Sequence, residues 1–228
     1  MVIGHGMLAK KFAKFEQDKA IIIFASGVSN SLETADAAFM REQILLEKII
    51  AEYPEKKLVY FSTCSMYDPN SIYTKYVQHK LKMEKIIENS VKKYIIFRAS
   101  QIVGHATNAT LINYLADRIK TAQTIDIWKN STRNLIDVDD LWMIVCYFLE
   151  HRLAENKIIH IANTRFISIL TLVESIEKIV QKSAKYNLLD KGAPYQDIPK
   201  DIQSYLKELN IVFDEAYYER VLLKYLKN

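Results

Sequence analysis

Short apolar runs alternate along this chain with longer stretches of helical periodicity. Ala20-Ile21-Ile22-Ile23-Phe24-Ala25, Leu58-Val59-Tyr60-Phe61, Lys93-Tyr94-Ile95-Ile96-Phe97-Arg98 and Lys157-Ile158-Ile159-His160-Ile161 are too short for helices and rich in β-branched and aromatic residues, so they predict buried strands. Between the first two, Phe39, Met40, Ile44, Leu45, Ile49 and Ile50 recur at helical spacing within Ser31 to Tyr53, ahead of Pro54. A shorter apolar start at Val2-Ile3 precedes a helical pattern of Leu8, Phe12 and Phe15, and a further helix is expected over Tyr76–Glu84. Further on, the pattern predicts a helix from about Thr110 to Thr121, a strand at the alternating Thr124–Trp128, and an apolar helix through Leu141, Ile144, Val145, Phe148 and Leu149. Three more helices are expected, starting near Ile169, Asp201 and Glu215. Strands alternating with crossovers of this length predict an α/β fold with parallel pairing and right-handed connections.

Composition narrows the class. The 228 residues are 50% hydrophobic and 25% charged, enough for one or two ordinary globular cores. No apolar run approaches the ~20 residues of a membrane span, and no charged-then-apolar leader precedes a cleavage site, so a cytoplasmic protein without membrane contact is expected. Cys64 and Cys146 form no zinc or disulfide framework, which suits a reducing compartment. The net charge of +4 is spread over many lysines and leaves no nucleic-acid footprint.

The candidate chemistry sits where the strands end. Gly4-His5-Gly6-Met7-Leu8-Ala9 follows a short strand and opens a helix, a G-x-G-x-x-A turn whose small residues let backbone approach a pyrophosphate at the helix start. The run ending Ala25-Ser26-Gly27 offers a second small-residue strand end. The strand at Leu58–Phe61 finishes in the hydroxyls Ser62, Thr63 and Ser65, and four residues separate Tyr76 from Lys80 in the helix beyond, which puts both on one face. A phenol titrates near ~10, and a neighbouring ammonium favours the phenolate, so such a pair can exchange a proton with a substrate hydroxyl or carbonyl. Tyr53 and Lys57 share the spacing, but Pro54 and the strand behind it argue against a helix there. Asp139 and Asp140, at a helix start, read as caps rather than as an acid or metal ligands. His160, in a strand, reads as structural.

In this order the motifs resemble the extended short-chain dehydrogenase/reductase family, in its NAD-dependent epimerase/dehydratase branch. Gly4–Ala9 looks like that family's glycine turn, Ile23–Gly27 like the strand end under the nicotinamide, and Ser62–Tyr67 like its hydroxyl-bearing strand end. Arg98–Gly104 is similar to its R-x-x-N-V-Y-G segment and Ile136–Asp140 to its V-H-V-D-D segment. The resemblance implies a Rossmann-like doubly wound parallel sheet over residues 1–160 and a small C-terminal α/β substrate or cap region, mainly helical, over residues 161–228. It also implies catalytic roles for Thr63, Tyr76 and Lys80, and NAD or NADP bound by Gly4, Gly6, Met7, Leu8, Ala25, Ser26, Lys80 and Ser100. A nucleotide-sugar substrate, a place in polysaccharide biosynthesis and a possible homodimer follow by the same analogy.

The departures from the family pattern carry information too. Only 21 positions separate Gly4 from Ala25, so a strand-helix-strand unit that would carry an acidic residue for the adenosine ribose is expected to be missing, leaving the fold abridged on the adenine side. No Asn occurs from Ser31 to Lys57, Cys64 and Ser65 stand where dTDP-glucose 4,6-dehydratases have an acidic pair, and Gln101 and Val103 replace the usual Asn and Tyr. Two readings therefore stand: an NAD(P)-dependent epimerase or keto-reductase acting on a nucleotide-linked sugar, or a catalytically inactive nucleotide-sugar-binding or scaffolding relative.

Overall fold

The computed structural model describes residues 1–105 and 110–227. In chain order the elements are β1 (Val2–Ile3), α1 (Met7–Lys11), β2 (Ile21–Phe24), α2 (Asp36–Glu52), β3 (Lys57–Thr63), α3 (Lys75–Ser90), β4 (Tyr94–Ala99), β5 (Gln101–Val103) and α4 (Leu111–Lys120). They continue as β6 (Thr124–Trp128), β7 (Thr132–Arg133), β8 (Leu135–Asp137), α5 (Val138–Glu150), β9 (Lys157–Ile161), β10 (Ile167–Ser168), α6 (Ile169–Val180), β11 (Lys185–Leu189) and α7 (Tyr217–Leu226).

The apolar runs form one parallel five-stranded sheet, ordered β1-β2-β3-β4-β9. Both faces are covered, which is why these strands read as continuous rather than alternating hydrophobics. On one face Phe12 and Phe15 after α1 and Leu141, Val145 and Phe148 of α5 pack on Ile23, Val59, Phe61 and Phe97. On the other, Leu46 and Ile49 of α2 and Met83 and Ile87 of α3 pack on Ile22, Leu58, Tyr60 and Ile96. This is the Rossmann-like α/β arrangement, and β1 stands at its edge, directly beside β2, where the spacing of Gly4 and Ala25 predicted an excised unit. The sheet advances in one direction through β1, β2 and β3 while α1 and α2 lie on opposite faces. Those two crossovers therefore have opposite hands, against the near-uniform right-handed preference expected for such connections.

Residues after position 160 join the same first core: Leu172, Val173, Ile176, Val221 and Leu222 pack with Leu115 and Ile119 of α4 and Leu135 and Ile136 of β8. Three two-stranded ladders lie outside the main sheet: β5-β8, β6-β11 and β7-β10. One local expectation fails, and one strand was not expected. The helix expected near Asp201 is a three-residue 3-10 turn, Gln203–Tyr205, because the Asp201 carboxylate is engaged with β9 instead of capping a helix. The strand β11 gives no hydropathy signal: four of its five side chains are exposed, and it is held by its parallel ladder to β6. No helix among the described residues is long and apolar enough to cross a membrane.

Candidate functional site

Parallel pairing brings the carboxyl ends of β1, β2, β3 and β4 to one edge of the sheet, and with them Gly4, Ala25–Gly27, Thr63 and Ser100. Gly4 has φ +128°, and a Cβ there would come within 2.5 Å of the Ala25 carbonyl oxygen, so only glycine lets β1 leave the sheet this close to β2. Gly6 begins α1 without a side-chain cap, and among the described residues beyond its chain neighbours no atom lies within 4 Å of where its Cβ would be. Met7 reaches across to Gly104, where a Cβ would meet its Sδ at 2.6 Å, and Leu8 is half-buried against the core. Ser26 is tied down: its hydroxyl and carbonyl accept from Arg41 at 3.3 and 3.2 Å. Ser100 is buried, and its hydroxyl finds no partner among the described residues.

Helix α3 begins at Thr74, whose hydroxyl accepts from the Val77 N–H at 3.3 Å. The first turn after this cap presents Tyr76, half-buried, and one turn on the Lys80 ammonium lies 6.0 Å from the Tyr76 ring centroid. Lys80 is only 3% exposed. Its ammonium donates to Glu42 Oε1 at 3.0 Å and to the Tyr60 hydroxyl at 3.1 Å, while Tyr60 in turn donates to the same Glu42 oxygen at 2.6 Å. The second Glu42 oxygen accepts from the Val28 N–H at 2.5 Å and lies 3.1 Å from His79 Nε2, without the alignment of a hydrogen bond. Burial alone would raise the Glu42 carboxyl. The Lys80 ammonium, the His79 ring, the Tyr60 hydroxyl and the Val28 N–H outweigh it and bring the group down to about 2. The same burial, with Glu42 beside it, pushes the Tyr60 phenol well above its ordinary value. Gly27 closes the cluster, since a Cβ there would meet Lys80 Nζ at 2.6 Å and Glu42 Oε1 at 2.9 Å.

Neither Glu42 nor Gly27 stands out in the sequence as a partner of Lys80, but a signal exists. The buried stripe of α2 is Phe39, Glu42, Leu46 and Ile49, so a carboxylate sits at an interior position, whereas Met40 and Ile44 of the expected apolar face are 59% and 61% exposed. A glutamate on the buried side of a helix needs a cationic partner.

Thr63 lies apart from this cluster in its bonding. Its hydroxyl accepts from the Ser65 N–H at 3.0 Å and donates to the Ser65 hydroxyl at 2.9 Å, capping the short turn Cys64–Tyr67. An extended segment crosses this turn: Gln196 N–H donates to the Tyr67 carbonyl, and Asn70 and Ala193 exchange two hydrogen bonds of 2.8 and 3.0 Å. The Tyr195 phenol of that segment is pushed up, first by burial, despite its bond to Ser65. Behind the turn, Arg98 makes a two-pronged pair with Glu84 at 3.0 and 2.6 Å, and His160 links the Tyr67 hydroxyl at 2.9 Å to Asp201 at 2.7 Å. His160 thus ties β9 to the C-terminal segment, as a structural histidine does. At the start of α5 the capping side chain is Asp137, which accepts from the Asp139 N–H at 2.9 Å. Asp139 and Asp140 lie in the first turn, and Asp140 accepts from the Tyr217 hydroxyl at 2.6 Å.

The groups at this edge suit part of a nicotinamide dinucleotide. The open space at Gly6, the uncapped start of α1 and the unpartnered buried Ser100 hydroxyl fit the diphosphate and nicotinamide end, and Lys80 lies close by with two of its three donors in use. Among the described residues, no strand lies beyond β1 to carry a ribose-binding acid on the adenine side.

A family model described as the NAD dependent epimerase/dehydratase family matches residues 6–162. A comparison with curated proteins finds no significant match. Solved structures with the same fold include UDP-glucuronic acid 4-epimerase from Bacillus cereus in complex with UDP-glucuronic acid and NAD, 19% identical with a TM-score of 0.74 over 94% of this chain and 77% of that one. dTDP-glucose 4,6-dehydratase from Bacillus anthracis in complex with NAD is 16% identical, with a TM-score of 0.69 over 94% and 74% of the two chains. UDP-glucose 4-epimerase from Thermotoga maritima with UDP-glucose is 18% identical, with a TM-score of 0.67 over 95% and 80%. At these identities the likeness shows the shared fold, and the match of well over half the chain to the family model shows the lineage: the protein belongs to the NAD dependent epimerase/dehydratase family.

Proposed function

We propose that the protein is an NAD(P)-dependent epimerase or keto-reductase acting on a nucleotide-linked sugar. The observation that carries this reading is the pair on α3, a half-buried Tyr76 with the Lys80 ammonium 6.0 Å from its ring and against Gly27 in the loop after β2. Tyr76 gives or takes the proton of the reacting sugar oxygen, and the positive charge of Lys80 favours the phenolate form when the proton leaves. Thr63 turns its hydroxyl from Ser65 to that oxygen and orients it. Lys80, Ser100 and the Gly4–Leu8 turn would hold NAD or NADP, which when bound supplies or accepts the hydride. Residues 1–160 take the cofactor side in this reading, and residues 161–228 contribute to the sugar side. Two buried free cysteines accord with the cytoplasm as its compartment. Replacing Tyr76 by Phe is expected to lower sugar-nucleotide turnover by ~10²- to 10⁴-fold, the range of a lost general acid-base group. Unchanged turnover would refute the assignment.

A second reading is favoured by one observation. Lys80 is neutralised by Glu42 and the adenine side of the sheet is absent, as suits a relative that binds a nucleotide sugar without turning it over. Titration with NAD, NADH, NADP and NADPH, followed by nicotinamide fluorescence and melting temperature, separates the two: no response to any of them favours the binding protein.

A further inference from the structure

We propose that Glu42 is the positioning residue of the site, a buried counter-ion that holds Lys80 as a charged ammonium between Tyr60 and Gly27, within reach of Tyr76. The inference rests on the reading of Tyr76 and Lys80 as the working pair, and deepens it by naming what keeps the pair in place.

Lys80 is 3% exposed, and an unpartnered ammonium at that depth is strongly disfavoured. Glu42, fully buried, supplies the only carboxylate within 4 Å of that ammonium among the described residues, at 3.0 Å, and the Tyr60 hydroxyl bridges the two. The carboxylate is fixed in turn by the Val28 N–H from the loop after β2, so helix α2, strand β3, helix α3 and that loop all converge on one charge pair. Gly27 completes the fit, because any side chain there would occupy the space of the ammonium and of Glu42 Oε1.

The titratable groups facing the pair are Tyr60 from β3 and Tyr76 and His79 from α3. Glu84, further along α3, is committed to Arg98. In Glu42→Gln the ammonium remains buried without a counter-charge, and desolvation then favours the neutral amine. The unfolded chain, where lysine titrates near ~10.4, binds more protons than the folded variant just below that pH, so the variant gains stability as pH rises there.

The experiment follows thermal unfolding of the wild type, Glu42→Gln and Glu42→Asp from about pH 8 to 10, together with NADH binding by fluorescence at the low end of that range. The expected result is a melting-temperature gap between wild type and Glu42→Gln that narrows as pH rises, a smaller gap for Glu42→Asp, and NADH binding at least ~10-fold weaker in Glu42→Gln, about the effect of one lost charged contact. A gap that does not change with pH overturns the proposal, as does wild-type NADH affinity in Glu42→Gln. If the gap narrows but no form binds NADH, Glu42 keeps its role toward Lys80 and the cofactor reading of the site fails. Should Glu42→Gln not fold, the double variant Glu42→Gln/Lys80→Met, free of both charges, is expected to fold. Its failure too would overturn the proposal.

Discussion

Gly27 illustrates how one atom's absence builds a site. With no positive φ, its requirement for glycine comes from space alone: Lys80 Nζ and Glu42 Oε1 fill the position of a Cβ. Lysine is a flexible side chain, but here both its end and its partner are fixed by hydrogen bonds. Gly27→Ala is therefore expected to destabilise the fold by about 1–3 kcal/mol, the usual range for forcing an extra carbon into a packed interior, read as a lower urea midpoint at unchanged slope. Glu42 makes a separate acid-side prediction. Its carboxyl lies at about 2 in the folded chain. A depressed carboxyl contributes stability that is present above the unfolded value near ~4.3 and lost as pH falls toward the folded one. The stability difference between wild type and Glu42→Gln should accordingly shrink between about pH 4.5 and 2, and a difference as large at pH 2 as at pH 6 would show that the carboxylate is not the stabilising form.

At the scale of elements, the start of α5 is the joint that ties the C-terminal helix to the sheet. Asp137 caps α5 through the Asp139 N–H and also accepts from the Tyr225 hydroxyl and the Lys224 ammonium of α7, each at 2.6 Å. Lys224 bonds Asp139 as well, and Lys11 from the end of α1 pairs with the same carboxylate. The pairing raises Lys224, in which burial opposes and the bonds to Asp137 and Asp139 prevail. Lys224 is 42% exposed, so solvent screens its part of the interaction, and most of the loss in Asp137→Ala comes from the cap and the half-buried Tyr225 bond. A cost of about 2–3 kcal/mol is expected, with earlier hydrogen exchange in α7 than in β3 or β4. Uniform exchange across all three would place the joint elsewhere. The pattern of the sequence marked this segment through Asp139 and Asp140, two and three residues too late, because the capping preference of an aspartate does not reveal which of three neighbouring acids faces the helix start.

For the whole molecule, the decisive feature is where the sheet stops. β1 pairs with β2 and, among the described residues, the sheet ends there, so the outer strands of the glycine-turn half of a dinucleotide fold, with their acid for the adenosine ribose, are missing. Opposite hands in the first two crossovers fit such an excision: α1 keeps the face it would have in a longer chain, while β2 lies on the other side of β1 from the strand α1 would otherwise reach. If the proposed cofactor binding holds, NADH and NADPH should bind within about threefold of each other, and reduced nicotinamide mononucleotide within about tenfold of NADH, differences below roughly 1.4 kcal/mol. A preference of a hundredfold for either dinucleotide would reveal an adenine site outside the sheet.

The sequence by itself determined the five buried strands, the long helices, the parallel order and the missing unit, because each is written in local signals: short β-branched runs, helical periodicity, and the distance between Gly4 and Ala25. It also set Tyr76 and Lys80 on one helical face, since four residues are one turn. Only the tertiary structure decided what Lys80 touches. Glu42 lies 38 residues away and Tyr60 20 residues away, and no periodicity within one element states which buried stripe will meet which. Strand β11 was equally hidden, for it is held by backbone pairing across 61 positions and exposes most of its side chains. Local patterning records which faces are apolar; the meeting of charges across the fold depends on how those faces pack.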